Sequence, residues 1–467
     1  MEVVNKKTPK IPIVESFLDT REMVKNPILV FERYREKLGP TFEFRFGGMR
    51  KTIVTADPDF LKYVLKDNNS NYHKSHIQVK RFVEFQGVGL TNSHDDYWLR
   101  QRKLLSMGFT RSRLAEMLPI QIGVLNDFMK DFDEEVSKGA VDIHDQMVKF
   151  TLRSVGKSLF GSQMNRGELE DFAAAIAEIQ QFVVKKVVQP YLMPWYAISG
   201  QNRKYQDIRI KADQIVMEYV EKRRKNPGKE SDILQLILTT PYKDTGELMS
   251  DETVKVEILQ LLVAGNETST TAAAWAFYLL AKHPEHLAKI REEIETVFGD
   301  RELDYSLLHK LTYTIAALDE SMRIRPPFWM IDREALKDDK FRGVKIPAGT
   351  TVIPYIYGVH HNAAIWNNPE KFDPSRFDAD KLENTHHFAH IPFGGGPRVC
   401  IGQNMAKMQI LLVMSAIIRN YDFELDGNKE VGMHAMMLLK PDGPIQMIFK
   451  HVKTANTLLL KEPDTAS

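Results

Sequence analysis

One cysteine in 467 residues sets the tightest bound on this chain. Cys400 has no second thiol for an internal disulfide, and a lone thiolate completes neither a multi-thiolate zinc site nor an iron–sulfur cluster. A CxxCH haem attachment is also absent. The sulfur stands in FGGGPRVCIG, Phe393 to Gly402. Three consecutive glycines permit positive φ and close backbone approach, Pro397 fixes a turn, and the apolar helical segment QNMAKMQILLVMSAIIRNY follows. Unpaired amides at a helix start and in a glycine turn favour an anion and lower a thiol's pKa. A thiolate held there can be the single axial ligand of haem iron, since the porphyrin supplies four donors. The loop reads equally as a buried free cysteine beside a structural turn. A phosphate loop is a weaker reading, because the GxxxxGK[ST] spacing is missing.

Lys plus Arg is 63 and Asp plus Glu 62, a net charge of +1. That balance argues against nucleic acid as the main partner. The first twenty residues hold no continuous apolar run, so the expectation is a cytoplasmic protein without signal peptide or membrane anchor. The longest apolar stretch, Ile258 to Ala281, is broken by Gln260, Asn266 and Glu267, which suits a helix buried in protein.

Residues 41–54 alternate around Gly-Gly and predict a hairpin. Helical spacing dominates from Asp59 to Phe298, with a charged, solvated linker at residues 222–232. Ser250 is placed to cap a long helix that ends before Pro284. The next helix closes at Gly299, and another runs from about Tyr305 to Pro326-Pro327. Short strands are expected after Phe341 and again over Met437 to Phe449, with a last long helix starting near Cys400. The fold class is mainly α with small β-sheets, in one domain over residues 1–452 followed by a polar tail, 453–467.

Two further constellations stand out. Ile258, Leu261, Ala264, Gly265, Thr268 and Ala272 fall on one face by three- and four-residue spacing, with small residues at its centre where a flat macrocycle could lie. Thr268 can bond back to the Ala264 carbonyl and open the helix locally, and Glu267 beside it is costly in apolar surroundings without a role or partner. An alcohol beside an acid suits a proton relay, though a Thr at a helix crossing and a Glu reaching the surface fit as well. Glu320 and Arg323 form an i, i+3 pair before the double proline. The same ExxR spacing recurs at Glu32–Arg35 and Glu221–Arg224, so spacing alone does not single it out. FDPSRF, Phe372 to Phe377, offers Arg376 as a third member of a charge network.

Taken together, FGGGPRVCIG, AGNET (Ala264 to Thr268), ESMR (Glu320 to Arg323) and FDPSRF resemble, in order and spacing, the motifs of the cytochrome P450 superfamily of soluble, bacterial-type haem-thiolate monooxygenases. The resemblance covers nearly the whole chain. It implies the cytochrome P450 fold and haem b, lodged between the long central helix and the Cys400 loop. Cys400 would be the iron ligand, with Phe393, Ala264 and Gly265 against the macrocycle. Trp98 and Arg102 in WLRQR, with Arg333 and Arg398, would bind the propionates. Thr268 and Glu267 would manage protons during oxygen activation. The family's peroxide-using branch replaces this acid–alcohol pair with Arg-Pro, so the intact pair implies use of O2. Leu90, Leu262, Phe328, Trp329, Met330, Met436 and Met437 would line an adaptable apolar pocket for a lipophile. One departure is HHNAAIW, 360–366, where relatives often show His-Arg-Asp-Pro.

No flavin or iron–sulfur module follows, so electrons are expected from a separate NAD(P)H-dependent partner of ferredoxin or flavodoxin type. Arg100, Lys103 and Lys407 form a candidate docking patch or ordinary solvated charge, and a monomer is expected. Two rival readings remain: a zinc or non-haem iron site at His386, His387 and His390, and a non-catalytic haem sensor.

Overall fold

A computed structural model describes residues 8–46, 50–161, 166–188, 192–227, 232–299, 301, 305–427 and 430–452. The expected tail at 453–467 lies outside them. The chain forms two compact units, one of Met1–Gln78, Ala316–Cys400 and Gly432–Asp442, the other of Val79–Ile315, Ile401–Val431 and Gly443–Ser467.

The first unit is built on a five-stranded sheet ordered Thr41–Phe46, Arg50–Thr55, Thr351–Pro354, Arg333–Ala335, Tyr72–His73. The first two strands are the expected hairpin, paired from Thr41↔Thr55 to Phe46↔Arg50. Alternation sends Phe42 and Phe44 into the core. Helix Pro27–Leu38 starts on an Asn26 cap with Pro27 in its first turn, and it contributes Val30, Phe31 and Tyr34 to the same core. The chain after Thr55 is tied to the sheet by one carboxylate. Asp339 accepts from the Tyr63 hydroxyl (2.9 Å), the Tyr72 hydroxyl (2.7 Å) and Asn68 Nδ2 (2.9 Å). Those three donors hold its carboxyl below the usual range in spite of burial, which acts the other way.

The second unit surrounds one helix, Asp251–Lys282, capped by the Ser250 hydroxyl on the Thr253 amide at 3.3 Å. Two stretches, Val256 to Leu262 and Ser269 to Leu280, are buried on every face. That is why this helix lacks the polar stripe of a surface helix. Helices Ile143–Phe160 and Gln403–Asn420 pack against it, Arg111–Ser137 packs on those two, and a small sheet orders strands Val141–Asp142, Gln446–His451 and Tyr421–Leu425.

Three local expectations need correction. The helix expected from Tyr305 to Pro326 is two, Tyr305–Leu308 and Thr312–Ile324. The break is fixed from outside, because the Glu293 carboxylate accepts the Tyr313 and Thr314 amides at 2.7 and 2.8 Å and so caps a new helix. The linker at 222–232 is not simply solvated. Arg223 and Asp232 at its ends are buried together, with Arg223 Nη1 and Nη2 at 2.8 and 2.7 Å from the carboxylate oxygens. The helix after the cysteine, Gln403–Asn420, covers the expected segment. The strands expected over Met437 to Phe449 are separate, since Leu439–Asp442 pairs with Gly432–Ala435 and leaves Met436 and Met437 at a hairpin turn.

Candidate functional site

In the cysteine loop each glycine is required for its own reason. Gly394 and Gly396 have φ of +75° and +69°, a region L-residues with a Cβ rarely enter. Gly395 is extended, but a Cβ there would come within 2.6 Å of the Phe388 ring. At Gly396 a Cβ would sit 1.8 Å from the Leu65 carbonyl oxygen, so the loop lies directly on the backbone after the hairpin. Pro397 begins a 3-10 turn, Gly396–Arg398, and the Cys400 amide donates to the Phe393 carbonyl at 2.9 Å. The expectation that free amides surround the sulfur is therefore corrected for Cys400's own amide, which closes the loop instead. Cys400 itself is exposed and Phe393 half-buried. The helix beyond has Gly402 at its N-cap, with no side chain to satisfy the first-turn amides.

The same unit gathers cations near that loop. Arg333, in the sheet, is 5 % exposed, and its buried Nε has no hydrogen-bond partner among the described residues. Burial lowers its affinity for the proton. Lys74, which sequence reasoning missed, is pushed down to about 7 by burial and by repulsion from Arg333 and Arg398. Lys74 feels the repulsion of Arg333 and Arg398, offset in part by Asp332; cations gathered beside a thiol loop fit a dianion such as a pair of propionates, and so the residues present fit haem. No motif marks Lys74: it is one lysine in HKSH after a two-residue strand, and only the fold brings it to Arg333.

Behind the loop, burial separates the three ExxR pairs. Glu320 and Arg323 have fully buried side chains and pair at 2.7 Å. Arg323 also donates to the carbonyls of His360 (2.7 Å) and Pro369 (2.6 Å), and its guanidinium lies 5.4 Å from the centre of the Trp366 ring. Glu320 Oε1 accepts the Asp373 amide at 2.9 Å and Arg376 Nε at 3.2 Å, so the proposed third member does join the network. The Glu32–Arg35 pair is partly exposed, and Arg224 bonds to Asp251 instead of Glu221. The departure at 360–366 falls here. His360 Nε2 accepts the Ile391 amide at 3.0 Å, and burial drives both His360 and His361 well below the usual imidazole range.

In the second unit, residues Val263 to Thr268 are the only part of the buried middle of the long helix left accessible, with Ala264 exposed. Thr268 Oγ1 donates to the Ala264 carbonyl at 2.7 Å as expected, yet the helix remains continuous. The helix is locked in rotation by Thr151, whose hydroxyl meets Asn266 Oδ1 at 2.8 Å and Thr270 Oγ1 at 2.6 Å. Gly265 turns toward helix Ile143–Phe160, where a Cβ would lie 3.1 Å from Val155, so its small size serves helix packing. Glu267 is half-buried, and so are Trp98 and Arg102 on helix Asp95–Leu105. Arg100 pairs with Asp244 at 2.9 Å, which removes it from a bare basic patch; Lys103 is exposed and Lys407 half-buried.

Among the pocket candidates, Leu90 and Leu262 are buried in the second unit. In the first, Phe328 and Met330 are partly buried against the core, whereas Trp329 is a core residue, 5.8 Å from Phe31 and donating its indole N–H to the Met436 carbonyl at 2.8 Å. The His386, His387 and His390 reading is corrected: among the described residues none of the three belongs to a set of three or more ligand atoms within 4.8 Å of one another. His386 faces Asp59, and His390 faces the Asp319 carbonyl.

These features agree with comparisons to known proteins. The sequence profile described as Cytochrome P450 matches residues 6–449. The chain is 29 % identical over 428 residues to Putative cytochrome P450 132 of Mycobacterium tuberculosis, covering 87 % of this chain and 89 % of that one. It is 27 % identical over 429 residues to the human Ultra-long-chain fatty acid omega-hydroxylase, covering 85 % and 78 %. The solved cytochrome P450DA heme domain superposes with a TM-score of 0.86 at 23 % identity, covering 96 % of this chain and 98 % of that one. The chain belongs to the cytochrome P450 family, as a haem b monooxygenase.

Proposed function

We propose that residues 1–452 form one haem domain that hydroxylates or epoxidises a lipophilic substrate with O2, using electrons from a separate NAD(P)H-dependent partner of ferredoxin or flavodoxin type. The observation that carries this reading is the accessible stretch of the continuous long helix, where Ala264, Glu267 and Thr268 are all uncovered to some degree between two fully buried stretches. Haem held there would supply the redox-active iron that oxygen chemistry needs. Cys400 gives that iron a thiolate and its electron density. Arg333, Arg398 and Lys74, with Arg102 and Trp98, hold the propionates through charge-assisted hydrogen bonds. Thr268 positions a proton at its hydroxyl, which the Ala264 carbonyl orients, and Glu267 exchanges protons with water. Ala264, Leu90, Leu262 and Phe328, with Met330, Met436 and Met437, keep water from the reacting carbon. Two relatives are described as a fatty acid omega-hydroxylase and a Taurochenodeoxycholic 6 alpha-hydroxylase, both named for lipophilic substrates, and this apolar set suits that class. A monomer in the cytoplasm remains part of this proposal. Among the described residues, no helix is long and apolar enough to cross a membrane.

The test is turnover of fatty acids, steroids and terpenes with a surrogate reductase under O2, read as a product one oxygen heavier. Thr268→Ala is expected to lower product per NAD(P)H consumed by at least about tenfold while hydrogen peroxide rises. Unchanged coupling overturns the role of Thr268, and a protein that binds these lipophiles without oxidising any is a sensor instead. Lys74→Met is expected to speed loss of haem to an acceptor apoprotein by about tenfold or more, the worth of one charge-assisted hydrogen bond. Unaltered haem retention removes Lys74 from the propionate set.

A further inference from the structure

Glu257 is a fully buried carboxyl that the oxygen chemistry does not use. It lies in the long helix, seven residues before Ala264, and both its oxygens accept the Leu90 amide, at 3.0 and 3.1 Å. Gln260 follows one turn later on the same side. Its Oε1 accepts the Thr91 amide (2.9 Å) and the Thr91 hydroxyl (2.7 Å), and its Nε2 donates to the Gly87 carbonyl at 3.2 Å. The segment is drawn in tightly: a Cβ on Gly89 would lie 2.8 Å from Gln260 Oε1, and one on Gly87 2.5 Å from Val256. Asn92 braces it internally, accepting the Gly89 amide at 2.9 Å and donating to the Gly87 carbonyl at 2.7 Å. Beside it is a small cavity bounded by Gln86, Ile176, Ile179, Leu259 and Val263. Each of these bonds satisfies a backbone group that the loop would otherwise bury unpaired.

We propose that Glu257 and Gln260 are positioning residues for substrate, a latch that sets how residues 87–91 meet a long apolar ligand. The proposal rests on the reading above that Leu90 lines the pocket. The choice of an acid makes the latch sensitive to pH. Burial pushes the Glu257 carboxyl up to about 7, against the pull of the Leu90 amide. The Tyr97 and Tyr242 hydroxyls face it, and each feels its charge. Arg100 acts on the same two tyrosines but pairs with Asp244. A closed latch holds the proton more tightly than a solvated carboxyl does, so by linkage it is firmer at pH 6 and looser at pH 8. Glutamine at 257 mimics the protonated acid and has no such slope.

The test uses the haem-loaded protein and two azoles read by their Soret shift, imidazole and 1-dodecylimidazole. The ratio of their dissociation constants cancels the ligands' own titration. In the parent, the ratio of dodecylimidazole to imidazole constants is expected to rise severalfold from pH 6 to pH 8. Glu257→Gln should hold the pH 6 value throughout, and Gln260→Ala should raise the ratio about tenfold without moving imidazole. Gly89→Ala, which displaces the segment and leaves both side chains in place, should do the same and covers the case in which Gln260→Ala does not fold. A ratio within twofold of the parent's in the variant that folds, or a parent slope that survives in Glu257→Gln, overturns the latch. Failure of imidazole itself to shift the Soret band overturns the haem reading on which the latch depends.

Discussion

Cys400→Ser is expected to fold, to take up haem weakly if at all, and to lose the thiolate-type shift of the reduced carbon monoxide spectrum that the parent displays. Serine is close to isosteric with cysteine, and the loop is closed by the residue 400 amide on the Phe393 carbonyl, a bond that does not involve the sulfur. The glycine conformations and the contact with Leu65 are likewise independent of the side chain. What changes is chemistry, because an alcohol does not ionise where a thiol does. No second cysteine exists to substitute. Turnover should fall by roughly three orders of magnitude or more, since the electron push from the thiolate is what favours O–O cleavage. A parent spectrum of the imidazole-ligated kind, or a serine variant that keeps the shift, would show that the sulfur is not the ligand.

Removing either partner of the Glu320–Arg323 pair should rank, with the equally buried Arg223–Asp232 pair, among the most destabilising single changes to a charged residue among the described residues. Truncating one member of a buried pair leaves the other charge uncompensated, typically at about 3–5 kcal/mol. Set against a total stability of roughly 5–15 kcal/mol, that loss is enough to prevent accumulation of folded protein. Arg323 also holds the carbonyls of His360 and Pro369, which become unpaired in Arg323→Ala. Arg323→Lys is not expected to rescue, because a point charge cannot replace a fork that serves several acceptors. The control is Glu32→Ala, which has the same sequence spacing. Arg35 and Glu32 keep 19 % and 20 % side-chain exposure, so the expected cost is smaller than at the fully buried Glu320–Arg323 pair. Urea unfolding midpoints and haem-loaded yield measure both. Equal effects at the two pairs would mean that burial is not what distinguishes them.

The contrast between those pairs also shows where sequence reading stops. Local chemistry was legible: the Ser250 cap, proline in the first turn of Pro284–Phe298 and the back-bond from Thr268 are all decided by neighbours within four residues. The resemblance to cytochromes P450 then supplied the haem and the choice of Glu320–Arg323 from three identical spacings. What stayed hidden depends on distant partners. Lys74 matters because the fold brings it to Arg333 and Arg398. The helix break before Thr312 is made by Glu293, and the ends of the charged linker are buried because Arg223 finds Asp232. Gly265 read as part of a macrocycle floor, yet its smallness answers to Val155 on another helix. Gln260 looked like an interruption in an apolar run, and Glu257 just before it carried no signal, until the Leu90 and Thr91 amides were seen to need them.

The seat of the cysteine loop on the Leu65 carbonyl has a bearing on how the protein is made. Leu65 leaves the ribosome early, and Gly396 only after most of the chain has been synthesised. The ligand loop can therefore reach its final shape only by docking late onto a platform that has been waiting, a contact of very long sequence separation and correspondingly slow closure. Pigment capture in the cell is accordingly tied to the end of translation, and a nascent chain stalled before residue 396 should remain colourless however much haem surrounds it.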